Sequence, residues 1–182
     1  MIFELLTGKE CELYNQDIFL CFKDNPLFFD IFNPNTIKNK EDAKYFVKSF
    51  IDSDECLVFG VFDDNKKILY GLVILDEVRM GLRNSAKCHI LLTKELWGRQ
   101  AFDICEKIIQ KTIIDVFYCE IPAYAYKAIG LVKKLGFKKT GYIPKIIPYV
   151  TINKSNVMHD ILIYTLNKPE PIITREVINE ED

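Results

Sequence analysis

Histidine and tryptophan are almost missing from this chain: its 182 residues hold two histidines, His89 and His159, and one tryptophan, Trp97. The histidines lie far apart, and the six cysteines (Cys11, Cys21, Cys56, Cys88, Cys105 and Cys119) form no C-x-x-C pair. Zinc sites are built from such close pairs, so no metal site is expected. Most of the cysteines stand inside apolar runs, as Cys56 does in 54–59, and read as buried reduced thiols. Net charge is also scarce. A formal charge of -2 provides no global field to draw in nucleic acid or a membrane surface. No apolar run approaches the roughly 20 residues of a spanning helix. The first ten residues carry Glu4 and Lys9 where a signal peptide has a basic start and an apolar block. These features lead to the expectation of a cytoplasmic protein. Repeats and low-complexity stretches are absent too.

What is present is a globular composition, 49% hydrophobic, in a chain long enough to bury a full core. A single domain over 1–168 is expected, followed by a flexible acidic tail over 169–182. A first strand fits 2–6. The aromatic stretch 16–32, interrupted by Pro26, reads as two short helices or one kinked helix. Asn39-Lys40-Glu41-Asp42 reads as a helix start, with acids at the positive end of the dipole. Ala43, Phe46, Val47, Phe50 and Ile51 then fall on one helical face. Strands are expected at 56–62 and 68–75, joined by the turn Asp63-Asp64-Asn65-Lys66, and again at 87–92. An amphipathic helix follows over 99–113, then a strand at 115–121, a helix over 125–134 closed by Gly136, and strands at 137–142 and 157–166. Early hairpins followed by a strand–helix–strand unit make a mixed α/β (α+β) sheet with helices on both faces.

Two segments carry chemistry. Glu95-Leu96-Trp97-Gly98-Arg99-Gln100-Ala101 reads as a strand end, a tight turn and a helix start, where unpaired N–H groups can hold a pyrophosphate. Leu131-Val132-Lys133-Lys134-Leu135-Gly136-Phe137 reads as a helix stopped by glycine and followed at once by a strand. In this order and spacing, over roughly 55–166, the segments resemble the GNAT superfamily of acetyl-CoA-dependent N-acetyltransferases, with a degenerate pyrophosphate loop.

The resemblance implies a mostly antiparallel central sheet of about six to seven strands. It implies acetyl-CoA as co-substrate, with pantetheine lying in a gap between two diverging strands and pairing with the backbone of Ile90, Leu91 and Leu92. Trp97, Gly98, Arg99, Gln100 and Ala101 would form the pyrophosphate turn. Gln100 and Phe102 stand where the family carries glycines, Ala125 where it carries a helix-start asparagine, and Val132 where it often carries a tyrosine acid. The lysines Lys133, Lys134, Lys138 and Lys139 read as a solvated face that favours a 3'-phosphate electrostatically. The usual acidic base position falls on Lys87. His89, on the same strand face, can take a proton near neutral pH. Asp76 and Glu77 are alternatives acting through water. Tyr124 and Tyr126 are the candidate acids for the leaving thiolate. The carbonyl donor would be a backbone N–H near Leu91 or Leu92.

The implied activity is direct transfer of acetyl to a primary amine of a small molecule or a protein. The rival reading is a catalytically degenerate binding or assembly module, and a third is a related acyl or aminoacyl transferase. A homodimer is common in the family. The segments expected to line the acceptor cleft, 19–32 and 142–155, are apolar and aromatic, which disfavours polyamines.

Overall fold

The computed structural model describes residues 1–25, 37–150 and 156–169. One seven-stranded sheet runs through them in the order β1-β2-β3-β4-β5-β7-β6. The strands are β1 (Ile2–Leu5), β2 (Leu57–Phe62), β3 (Leu69–Arg79), β4 (Ser85–Leu92), β5 (Val116–Pro122), β6 (Lys138–Val150) and β7 (Asn156–Asn167). All neighbouring pairs are antiparallel except β4 and β5. Their parallel register requires a crossover, which α4 (Arg99–Lys111) supplies. The mixed, mostly antiparallel sheet anticipated from the sequence is present.

Side chains alternate across this sheet and build two cores. On one face α1 (Gly8–Leu13), α2 (Asn15–Asp24) and α3 (Lys40–Ile51) cover Val58, Leu72, Ile74 and Leu91 through Ile18, Phe22, Ala43 and Val47. On the other, α4 and α5 (Tyr126–Lys134) cover Val73, Ala86, Leu92, Phe117 and Cys119 through Ile104, Ile108 and Val132. Asn39 caps α3 by accepting from the N–H groups of Glu41 and Asp42, as its sequence suggested. Gly136, at φ +89°, ends α5 in a conformation that disfavours a side chain, and Phe137 returns the chain to the core.

Three elements depart from the sequence reading. Helix α1 was not anticipated; a Thr7–Glu10 capping box nucleates it. The strand expected at 137–142 continues to Val150, because β7 pairs with it along its length. β7 inserts between β5 and β6, an order that hydrophobic periodicity does not encode. The expected tail, from residue 170 on, and parts of the expected acceptor segments lie outside the described residues. Among the described residues no helix is long and apolar enough to cross a membrane.

Candidate active site

The β4–β5 ladder has three rungs: Ser85↔Val116, Ala86↔Phe117 and Lys87↔Tyr118. Beyond them β5 pairs only with β7, from Cys119↔Tyr164 to Pro122↔Ile161. β4 continues to Leu92 paired only with β3. The two strands therefore part after Lys87 and Tyr118, and a gap opens toward the C-terminal ends of both.

Thr93 donates its N–H to Tyr70 O at 2.9 Å, and Leu91 stands opposite Leu72. In an antiparallel pair this alternation turns the amide groups of His89 and Leu91 toward β3 and those of Ile90 and Leu92 toward the gap. The Leu92 carbonyl is occupied: Asn25 Nδ2 donates to it at 2.7 Å and Trp97 Nε1 at 3.0 Å. Of the three residues expected to pair with pantetheine, Ile90 is the one that offers the gap both an N–H and a C=O. Leu91 offers it neither: its backbone belongs to the β3 ladder and its side chain to the opposite core.

The mouth of the gap lies beside the N-terminus of α4. Gly98 (φ +89°, ψ -128°) caps this helix without a side-chain hydrogen bond, and no acid lies in the first turn. The N–H groups of Arg99, Gln100 and Ala101 precede the first intrahelical bond, from Phe102 N to Gly98 O. In contrast, Thr7 caps α1 and Asn39 caps α3, and both have acids in the first turn. Gln100 and Arg99 point to solvent. Phe102 instead joins Ile109, Leu135 and Leu166 in a surface groove farther along α4. Trp97 is 41% exposed and carries Lys127 Nζ 5.3 Å from its ring centroid, which links the starts of α4 and α5.

At the closed end of the gap, on the α1–α3 face, the two strands present Lys87 and His89 from β4 and Tyr118 and Glu120 from β5. Lys87 Nζ reaches across to Glu120 Oε2 at 2.8 Å and lies 3.9 Å from Glu77 Oε1. The Tyr118 hydroxyl donates to Glu77 Oε2 at 2.5 Å. Burial, then this carboxylate, pushes the phenol above its ordinary pKa, so it remains protonated. Glu77 stands at φ 52° beside the bulge between Asp76 and Arg79, which displaces it from the regular strand. His89 is 8% exposed, with Nε2 3.8 Å from Asp76 Oδ2, an electrostatic pairing longer than a hydrogen bond. Asp76 also accepts from Glu77 N at 2.8 Å and from Cys56 Sγ at 3.3 Å. The imidazole above all, with these donors, holds its carboxyl down to about 2.

Of the expected catalytic residues, His89 thus sits at the closed end of the gap. Tyr124 follows β5 at the mouth and is half-buried. Tyr126, in the first turn of α5, is 79% exposed and faces solvent. Tyr118 and Glu120 were not anticipated from the sequence. The alternation of β5, with Phe117, Cys119 and Ile121 buried, would have placed both on the opposite face.

Comparison with known proteins finds no matching family model and no matching curated sequence. Solved structures do match in fold. A spermidine N-acetyltransferase from Vibrio cholerae in complex with CoA and spermine aligns at TM-score 0.63 and 17% identity, over 92% of this chain and 95% of that one. A microcin C7 self-immunity acetyltransferase in complex with acetyl-CoA and AMP aligns at 0.67 and 19%, over 91% and 92%. A ribosomal-protein-S5-alanine acetyltransferase from Vibrio fischeri aligns at 0.65 and 13%, over 92% and 93%. The chain has the fold of these N-acetyltransferases along almost its whole length.

Proposed function

We propose that the protein is an N-acetyltransferase that moves acetyl from acetyl-CoA directly to a primary amine. One observation carries this reading: the β4–β5 ladder stops at Lys87↔Tyr118, and the resulting gap runs from titratable side chains at its closed end to an uncapped helix start at its mouth. Two of the matched structures hold CoA or acetyl-CoA by their own descriptions, which agrees with a thioester donor.

Pantetheine carries amides, and Ile90 offers an N–H and a C=O to match them. The pyrophosphate meets the N–H groups of Arg99 to Ala101 with the positive end of the α4 dipole behind them, and the exposed Arg99 side chain is free to turn to it. This orientation sends the thioester toward Lys87 and Tyr118.

The amine approaches from the α1–α3 face. Glu120, held by Lys87, receives it as an ammonium, and His89 takes the proton that frees the nitrogen lone pair. A C–N bond forms as the C–S bond breaks. The second nitrogen proton is lost to solvent as the amide forms, and the sulfur leaves as thiolate. Tyr118 stands nearer the closed end than Tyr124 or Tyr126, but its hydroxyl is held by Glu77, so the thiolate takes its proton from water. Holding both reactants in one gap supplies much of the remaining acceleration.

The test is thiol release from acetyl-CoA against a panel of small amines, amino-terminal peptides and lysine peptides. Amine-dependent release with formation of an acetamide supports the reading. Absence of CoA binding at about 1 mM, roughly -4 kcal/mol, overturns it.

A further inference from the structure

A cavity of about 30 Å³ lies between the sheet and helices α4 and α5, below the point where β4 and β5 part. Its wall includes Cys88 and Ile90 of β4, Phe117 and Cys119 of β5, Cys105 of α4 and Val132 of α5. Cys88 and Cys119 are the first residues of their strands beyond the last rung, Lys87↔Tyr118. The cavity thus adjoins the closed end of the gap, on the face opposite His89 and Glu120.

The position matters for the donor. An amine arriving from the His89 and Glu120 side attacks one face of the acyl carbon. Attack comes across the plane of the acyl group, so the first alkyl carbon stays in the gap, and rotation about the next bond swings a further carbon away from the amine, toward α4 and α5. There it meets a wall with no charged side chain. Burial pushes the Cys105 and Cys119 thiols up to about 12 and the Cys88 thiol well above its ordinary value, so these sulfurs act as apolar surface and not as nucleophiles. A cavity lined in this way stays dry and accepts hydrocarbon. Its size suits about one or two carbon atoms.

We propose that the cavity is an acyl pocket that admits donors longer than acetyl, with room for the one further carbon of propionyl. The proposal rests on the transferase reading and specifies its donor. Inside a hydrophobic pocket one methylene changes kcat/KM by roughly 10- to 200-fold, so chain length is a sensitive probe.

The experiment compares kcat/KM for acetyl-, propionyl-, butyryl- and hexanoyl-CoA with one amine acceptor, in the full chain and in Val132→Phe and Cys88→Leu, which fill the space. The expected wild-type result is propionyl within about threefold of acetyl, or better, with a loss of about tenfold or more by hexanoyl. The filled variants should lower the propionyl-to-acetyl ratio about tenfold. A wild-type protein that uses propionyl about thirtyfold less well than acetyl overturns the pocket while leaving the transferase reading intact. So does an unchanged ratio in variants that fold. If neither variant folds, the wild-type series decides alone. A protein that turns over no thioester of any length removes the transferase reading, and the pocket with it.

Discussion

Lys87 of β4 and Tyr118 of β5 are the last residues that face each other before the two strands separate. On the face toward α1–α3, Lys87 leans forward to Glu120 and Tyr118 leans back to Glu77. The rung that closes the gap therefore also gathers two carboxylates and a protonated phenol beside His89. The predictions below follow from this arrangement.

Replacing Glu120 by Gln removes the charge offered to the incoming ammonium while keeping the side chain's shape. The expected result is a fall in kcat/KM for the amine of about 10- to 100-fold, with CoA affinity unchanged. Steady-state kinetics with the amine varied at saturating donor checks this. A loss of CoA affinity instead would mark Glu120 as part of the scaffold.

Gly98 adopts φ +89° and ψ -128°, a region almost closed to residues with a Cβ. Space is not the obstacle, since a Cβ there would meet nothing within 4 Å. Gly98→Ala should therefore cost about 1–3 kcal/mol of stability through backbone strain alone, and should weaken CoA binding by moving the start of α4. Denaturant melts and a CoA titration of the same variant test the two effects separately.

Asp76 has its pKa lowered to about 2 in the folded state, from an ordinary value of 3.8. A depressed carboxyl contributes stability above its unfolded pKa and loses it as pH falls through the folded one. The contribution, at most about 2 kcal/mol, should be complete above pH ~5 and vanish between pH ~4 and ~2. Asp76→Asn should accordingly be less stable than the natural protein at pH 7 and nearly equal to it near pH 2. Parallel pH titrations of unfolding midpoints would reveal the convergence, or its absence.

Trp97 is the chain's one tryptophan, and its indole N–H rests on the Leu92 carbonyl at the mouth of the gap. A ligand entering there alters the polarity around the ring. CoA should shift the intrinsic emission saturably, and Leu92's other donor, Asn25, should hold the strand end meanwhile. Emission unaltered by saturating CoA would place the ligand elsewhere.

Much of the fold was legible in the sequence because its signals were local. Asn39 ahead of Glu41 and Asp42, Gly136 ahead of Phe137, and the apolar face of 99–111 each specify an element without reference to the rest of the chain. The site was only half legible. His89 and the turn at Trp97-Gly98-Arg99 carry recognisable residue types, whereas the gap depends on which strands stop pairing and where. The shift of β5 from β4 to β7 is a long-range choice that leaves no pattern in 116–122. The expectation that the acceptor cleft lacks carboxylates came from the loops alone. On the α1–α3 face the gap is bordered by Asp76, Glu77 and Glu120, and Lys87, 2.8 Å from Glu120 and 3.9 Å from Glu77, offsets part of their charge.

Residue-resolved amide hydrogen exchange with and without CoA tests the gap most directly. Ile90, facing the gap, should exchange fast in the free protein and slow by about tenfold or more with CoA bound, while Leu91, already in the β3 ladder, stays protected in both. An Ile90 amide that is protected in the free protein, or that saturating CoA leaves unchanged, would contradict the account.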